Sequence, residues 1–477
     1  MSSVADALLS EPPVRTVREA LAGSADEAWI VGGTIRDALL ERPVRDVDVT
    51  VDGDPENAAR AVARTLEGPV FPLSEAFGAW RAIDRAGGWV CDVSPLHGEG
   101  ILSDLAQRDF TVNAMAMALD GGELVDPHGG RADVHARVLR VLGEAAYAAD
   151  PLRPLRLARL ATELSLAPDP ETEELTRRAA PAVRDASGER IFAELRRLII
   201  AERAVEGLEL ADRLDLTAAV LPELDALHGV EQSHFHHLDV HDHTLEVLRQ
   251  QVRLEGRLVE VFGDLANEVA GALEEPLADE LSRREALRFA ALLHDVGKPA
   301  TRGRRPDGRI TFIGHDAVGE GLVADVCRRL RTSERLRTFI ASITRHHLVL
   351  GFLVHERPLS RRTIYRYLAT CQPVEVEVTV LSCADRLATR GRNAERAIAD
   401  HLEVARDLMA EALRWRAEGA PPAPIRGDEL AAGLGIATGP EIGGLLAELT
   451  AASFSGEVTT PQDALAYARR LRENAAR

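Results

Sequence analysis

The sequence predicts an α+β molecule: a small sheet near the start, then a mostly helical remainder. Three observations predict it. Between Ala28 and about Leu142, short apolar runs (Ala28–Val31, Val47–Val51, Trp89–Val93, Val138–Leu142) alternate with helical stretches such as Glu56–Leu66. From Asp150 onward the apolar spacing is almost wholly helical. Breakers at Pro168–Pro170, Gly229–Ser233 and Gly419–Pro424 divide that helical part. The reading gives segments 24–142, 143–228, 232–395 and 396–477, with a leader helix over the first 22 or so residues. Glu255–Arg284 reads as one long acidic helical stretch.

The 477 residues carry 57 Lys and Arg against 76 Asp and Glu, a formal net charge of −19. That balance argues against a general nucleic-acid coat, while a local basic groove stays open. Lys298 is the only lysine, so any phosphate grip elsewhere must use guanidinium or backbone N–H groups. No apolar run approaches the ~18 residues of a membrane span. Met1–Arg18 holds acids and two prolines and predicts no signal peptide. Cys91, Cys327, Cys371 and Cys383 lie far apart, which predicts free thiols in a reducing cytoplasm.

The first constellation begins where the run Ala28–Val31 meets Gly32-Gly33 and a helix from Thr34. Two glycines at a strand-to-helix turn let backbone approach a phosphate. Alone, that is a tight turn and little more. The next strand, Arg45-Asp46-Val47-Asp48-Val49-Thr50-Val51, places Asp46 and Asp48 on one face and the valines on the other. Paired carboxylates on a half-buried strand repel unless a cation sits between them, and hard Mg²⁺ is the usual partner. Asp92, in the apolar run Trp89–Val93, is a candidate third ligand. Asp150 followed by Pro151 reads as a helix N-cap with Pro at the first helical position. Arg153, Arg156 and Arg159 form one ridge of that helix; read alone, it is a solvated face.

Five motifs together resemble the class II tRNA nucleotidyltransferases and their bacterial poly(A) polymerase relatives. They are Gly32-Gly33-x-x-Arg36-Asp37, Asp46-x-Asp48, Gln107-Arg108-Asp109-Phe110-Thr111-Val112-Asn113-Ala114-Met115-Ala116, Asp126-Pro127-His128-Gly129-Gly130-x-x-Asp133, and Asp150-Pro151-Leu152-Arg153. The resemblance implies a polymerase-β-like nucleotidyltransferase head, a helical neck that selects nucleotides and binds RNA, and template-independent addition of CCA to tRNA from CTP and ATP with Mg²⁺. By it, Asp46, Asp48 and Asp92 are catalytic, and Asp46 and Asp48 hold Mg²⁺. Gly32, Gly33, Arg36, Arg108, Asp109 and Asn113 bind nucleotide, Asp150 and Arg153 read the base edge, and Arg156 adds a nucleotide or tRNA contact. Two departures stand out: Ala149 replaces the acid usual before Asp150, and Pro154 replaces an aliphatic. They leave CC-adding, A-adding and oligo(A)-adding variants open. A poly(A) polymerase is the nearest competitor, but its arginine-rich patch is not evident around Pro69–Ile83.

The second constellation is histidine-rich. Adjacent His294-Asp295, flanked by Leu292, Leu293 and Val296, sets two metal-grade ligands at the end of an apolar helix. The order His243, His294-Asp295, Asp385 resembles the HD phosphohydrolases, which implies a metal site completed by His315 and His346, with His347 able to replace His346. His234, His236, His237 and His241 read as surface or supporting residues. The resemblance implies a divalent metal and hydrolysis of phosphoesters at damaged RNA ends; the bland alternative is a vestigial site in a helical body. Gly297-Lys298 is not a P-loop, since no glycine lies five positions earlier. A reading from another class makes this domain the true enzyme, with the head as nucleotide sensor. A non-enzymatic RNA-binding module fits poorly with paired acids. The tail, Pro424–Leu430 and Gly439–Gly443, resembles the family's C-terminal helices, and a homodimer stays open.

Overall fold

The computed structural model describes residues 8–23, 27–74, 78–232, 238–390 and 394–475. His234, His236 and His237 lie outside the described residues. The chain divides into two compact units, Met1–Val220 and Leu221–Arg477.

The first unit is built on a six-stranded mixed sheet. In chain order its strands are β1 (Ala28–Val31), β2 (Asp46–Val51), β3 (Val70–Ser74), β4 (Ala79–Ile83), β5 (Val90–Pro95) and β6 (Ala116–Ala118), and their spatial order is β3-β4-β5-β2-β1-β6. β2 and β5 run parallel, and the other neighbours are antiparallel. Val47 and Val49 are fully buried, so the valine face of β2 fixes its register against the helices behind it. One of these, Pro55–Leu66, starts at Asp54, whose carboxylate accepts from the N–H groups of Glu56 and Asn57. The leader helix, Pro12–Leu21, packs there through Val14, Val17 and Leu21.

The sheet differs from the sequence reading in two places. The β3–β4 hairpin was not legible, because Pro72 and the turn at Gly78 interrupt its alternation. The run at Val138–Leu142 contributes only Val138–Leu139, which pairs with Ala167–Pro168 outside the main sheet. Beyond the sheet come helices α1 (Arg153–Leu164) and α2 (Gly188–Ile200), which pack on each other.

The second unit is helical. Its core helices are α3 (Val240–Glu255), α4 (Arg283–Leu293), α5 (His315–Arg329), α6 (Glu334–His346) and α7 (Glu375–Leu387). The stretch Glu255–Arg284 is not one helix. Gly256 and Gly263 break it, and a short hairpin at Pro276–Ala278 and Leu281–Ser282 precedes α4. A capping box, Ser282 with Glu285, restarts the helix. The tail forms three helices, Gly427–Leu434, Pro440–Phe454 and Pro461–Ala475, around Leu430, Leu449, Val458 and Ala464. Among the described residues, no helix is long and apolar enough to cross a membrane.

Gly130 shows how tightly the head is closed. A Cβ there would lie 2.2 Å from the Thr111 carbonyl oxygen. Gly130→Ala is expected to lower unfolding free energy by about 1–3 kcal/mol, the usual cost of overpacking. Thermal or denaturant melting of the variant checks this.

Candidate active site and histidine–aspartate centre

Gly32 sits at φ +62°, between β1 and the helix Gly33–Leu39. The turn leaves no room for side chains: a Cβ on Gly32 would lie 2.9 Å from Arg108 Nη1, and one on Gly33 would lie 3.0 Å from Asp48 Oδ2. Instead the Gly33 N–H donates to Asp48 Oδ2 at 3.0 Å. Thr34 ties the same turn to β2, donating to the Asp46 carbonyl and accepting from the Asp48 N–H at 2.7 Å. Asp46 and Asp48 share one face of β2, Asp48 held against the turn and Asp46 exposed beside it.

Asp92 is the register partner of Asp48 across the parallel β2–β5 pair. Sequence reasoning missed its ion-pair partner. Arg81, on β4, donates twice to Asp92, Nε to Oδ1 and Nη2 to Oδ2, each at 2.7 Å. Burial and the Asp92 charge push Asp48 up to about 6, against the pull of Arg108 and Arg36. Asp46, Asp48 and Asp92 together offer the oxygen donor set a hard divalent ion suits.

Around this pair stand the other predicted residues. Arg36 pairs with Asp37 and donates to Asn113 Oδ1 at 2.7 Å. Asn113 in turn donates to Asp109 Oδ1 at 2.9 Å. Arg108 is held by Asp104 at 2.8 Å. Burial alone would raise Asp109, but Arg156, Asn113 and Arg153 hold it below the usual carboxylate range. Arg156 reaches Asp109 on one side and Glu194 of α2 on the other, each at 3.2 Å. Arg159 is buried and pairs with Glu194 and with Glu163. Arg156 and Arg159 of the ridge thus form an ion cluster with Asp109, Glu194 and Glu163 rather than a solvated face. Glu194 was invisible to spacing because it lies on a different helix.

Asp150 corrects the capping expectation. α1 begins at Arg153, after a turn closed by the Arg153 N–H on the Asp150 carbonyl at 3.1 Å. The Asp150 carboxylate accepts from the Leu152 N–H at 3.1 Å and from Arg190 at 2.7 Å. Against its burial, those two contacts hold it below the usual range. Arg153 donates to the carbonyls of Gln107, Arg108 and Ala146, while its Nε is buried without a hydrogen bond. A single cleft of about 830 Å³ is lined by Gly32, Asp46, Asp48, Asp92, Asp150 and Arg153 together.

In the second unit, His294 Nε2 lies 3.1 Å from Asp295 Oδ2, and His315 Nε2 lies 3.3 Å from Asp295 Oδ1. His243 Nε2 meets Asp385 Oδ1 at 3.0 Å. The sequence set includes His346; the structure puts His347 there instead, 3.3 Å from His315 and 3.8 Å from Asp295. One residue turns a helical position by about 100°, so His347 enters the cluster and His346 lines a neighbouring cavity. His241 is buried and stacks on His228 at 3.6 Å, which excludes the surface alternative for it and leaves the supporting one.

His294, His315 and His347 each place Nδ1 at 2.7–2.8 Å from a backbone carbonyl three residues earlier. That fixes Nδ1 as the donor and leaves every Nε2 lone pair for the cluster. Burial and His294 push His347 down to about 4, keeping it neutral. His294 Nε2 is buried and makes no hydrogen bond. Two ligand groups, His243-His294-Asp295 and Asp295-His315-His347, share Asp295, and the donor atoms in each lie within 4.8 Å of one another. These residues fit a divalent metal centre.

Comparison with known proteins follows the same plan. Family models match as a poly(A) polymerase head domain over residues 28–87 and 90–140, a probable RNA-binding site of polymerase A over 165–227, and an HD domain over 240–390. An A-adding tRNA nucleotidyltransferase of Deinococcus radiodurans is 36% identical, over 94% of this chain and 96% of that protein. The chain belongs to the tRNA nucleotidyltransferase family. A CC-adding member from Thermus thermophilus is 33% identical, over 92% of this chain and 93% of its own. Among solved structures, a CCA-adding enzyme with CTP matches at TM-score 0.64 and 20% identity, covering 99% of both chains. The Thermotoga maritima CCA-adding enzyme complexed with tRNA matches at TM-score 0.59 and 20% identity, covering 98% of both. The family's fold, mixed-sheet head and helical remainder, is the one this chain adopts.

The raised Asp48 has a measurable consequence. Its carboxyl titrates near 3.8 when unexposed to these neighbours and near 6 when folded. Its ionisation therefore opposes folding increasingly as pH rises through that window, fully above it. In EDTA, Asp48→Asn is expected to melt higher than wild type at pH 8, with the gap shrinking as pH falls below 6. Adding Mg²⁺ should narrow the gap at pH 8. Calorimetric melts across pH check both.

Proposed function

We propose that the chain adds CCA to tRNA 3′ ends from CTP and ATP, without a nucleic-acid template. The observation that carries this reading is the single cleft joining the carboxylates of β2 to Asp150 and Arg153 at the start of α1. Asp46 and Asp48 would hold Mg²⁺, which lowers the pKa of an attacking 3′ hydroxyl and steadies departing pyrophosphate. The Gly32-Gly33 turn admits a triphosphate close to backbone, and Arg36 and Arg108 supply charge beside it. Asp109 and Asn113 form a fixed polar ledge for the ribose. Arg153 Nε is a buried donor in search of an acceptor on a base edge, and the Asp150 oxygens keep lone pairs for an exocyclic amine. Positioning and charge stabilisation do most of the work in such transfers.

A partial reaction, A only or CC only, is the second reading. Ala149 stands where the family usually has an acid, and the 36% and 33% identical relatives are named A-adding and CC-adding. The HD centre supports a second activity, metal-dependent hydrolysis of phosphoesters such as those at RNA ends.

Labelled tRNA transcripts ending before the first C, the second C or the terminal A, given CTP, ATP or both, test the main reading. Ordered growth by C, C and A is expected, with Asp46→Ala slower by about 10³-fold or more. Growth by A alone or C alone moves the assignment to the partial enzyme. No extension on any transcript overturns it. Phosphoester hydrolysis should survive Asp46→Ala and be lost with His294→Asn.

A further inference from the structure

Between α4 and α5 the chain makes a short hairpin with strands Gly303–Arg304 and Ile310–Thr311. Residues 302–309 carry four arginines and one acid, in a chain whose formal net charge is −19. That acid, Asp307, is taken up by the turn itself. Its Oδ1 accepts from the Arg309 N–H at 3.0 Å, and its Oδ2 pairs with Arg309 Nε at 3.3 Å. The turn is closed by the Arg305 N–H on the Arg309 carbonyl and the Gly308 N–H on the Arg305 carbonyl, each at 2.9 Å. Gly308 supplies the positive φ, +83°, that the turn requires. Arg302 pairs with Glu231 at 2.8 Å. Arg304 and Arg305 are exposed, and among the described residues neither has a carboxylate partner. Two neighbouring guanidinium groups with no acid to balance them attract polyanions.

The position of the hairpin says which polyanion. Arg304 is the register partner of Ile310, so the two side chains share one face of the hairpin. Ile310 lines a cavity of about 590 Å³ beside the metal-grade cluster, and Thr311, Phe312 and His315 line it too. The hairpin therefore continues one wall of that cavity outward, with Arg304 on the shared face and Arg305 at the start of the turn. At the rim, Ile313 is 78% and Phe352 is 69% exposed, an apolar edge suited to a flat ring. An RNA strand offers both phosphates and flat rings. Arginine matches both, since its planar fork grips phosphate oxygens in pairs and stacks on bases. A mononucleotide seated at the cluster would leave the two arginines uncovered, whereas a longer strand would cover them.

We propose that the hairpin is a docking arm for an RNA strand whose terminal phosphoester enters the histidine–aspartate centre. Arg304 and Arg305 hold backbone phosphates upstream of that end. The proposal rests on the hydrolase reading of that centre for the fate of the strand's end. The competing role is a solvated turn.

The test uses full-length protein and an RNA hexanucleotide with a 3′-terminal phosphate and one 4-thiouridine beside it. Binding is read in EDTA, by ultraviolet crosslinking mapped with mass spectrometry. Crosslinks are expected within residues 302–313. In the double variant Arg304→Gln with Arg305→Gln, half-maximal crosslinking there should need about tenfold more RNA. The slope of log affinity against log salt should flatten by about 1.4, at about 0.7 for each lost phosphate contact. With Mn²⁺ added, the variant should raise KM about tenfold for a hexanucleotide ending in a 2′,3′-cyclic phosphate, and leave hydrolysis of 2′,3′-cyclic AMP unchanged. Crosslinks confined to the first unit, an unchanged salt slope, or a hexaglutamate peptide that competes as strongly as unlabelled RNA overturns the proposal. Hexanucleotide hydrolysis with an unaltered KM in the variant sinks the docking arm and spares the hydrolase reading. Hairpin crosslinking that weakens as expected in the variant, without hydrolysis of either substrate, upholds the arm and sinks the hydrolase reading.

Discussion

Arg156 holds two carboxylates that belong to different parts of the first unit. Asp109 sits in the loop that faces the nucleotide cleft, and Glu194 sits on α2. Asp109 and Glu194 are both buried, and each would be costly there without a cation. Arg159 adds a second guanidinium on Glu194. Burial works against Arg156's charge, yet Asp109 and Glu194 raise its pKa above the ordinary arginine value. The cluster cannot be pulled apart without stranding a buried charge. It therefore locks α1, which starts at Arg153, in register with the loop carrying Asp109 and Asn113. Through Asn113 and Arg36 the same chain of contacts reaches the helix that starts at Gly33, where the backbone binds Asp48. The residues proposed for nucleotide choice and those proposed for phosphoryl chemistry are thus joined by one chain of contacts.

The two centres of the molecule solve opposite problems. In the head, three carboxylates, Asp46, Asp48 and Asp92, are gathered on adjacent strands, an oxygen donor set of the kind a hard divalent cation suits. In the HD centre, three imidazoles are held by backbone carbonyls through Nδ1 and turn their Nε2 atoms toward one buried carboxylate, Asp295. The first arrangement suits a hard ion with phosphate ligands, and the second suits an ion bound mainly by nitrogen.

Much of this was legible in the sequence, for a physical reason. Period-two alternation puts Asp46 and Asp48 together with no knowledge of the fold, and His294-Asp295 announces itself by its apolar flanks. What stayed hidden depends on contacts between distant elements. Arg81 meets Asp92 only because β4 and β5 pair in one register. Glu194 meets Arg156 and Arg159 only because α2 packs on α1. His346 and His347 differ by a single helical step, which spacing alone does not resolve. The break-up of Glu255–Arg284 follows from Gly256, Gly263 and Pro276, which outweigh the acidic helical pattern around them. Asp-Pro is a good cap in sequence, yet α1 starts two residues later, and the second partner of the Asp150 carboxylate, Arg190, lies on α2, beyond the reach of local spacing.

Under the proposed function, the Arg156 cluster sets nucleotide choice by holding α1 against the cleft. Single-turnover incorporation by Arg156→Met, with CTP and ATP offered separately on each tRNA transcript, tests it most directly. Discrimination between the correct and incorrect nucleotide is expected to fall about 10–10²-fold, as for a displaced positioning element. Unchanged discrimination in a folded variant would contradict it.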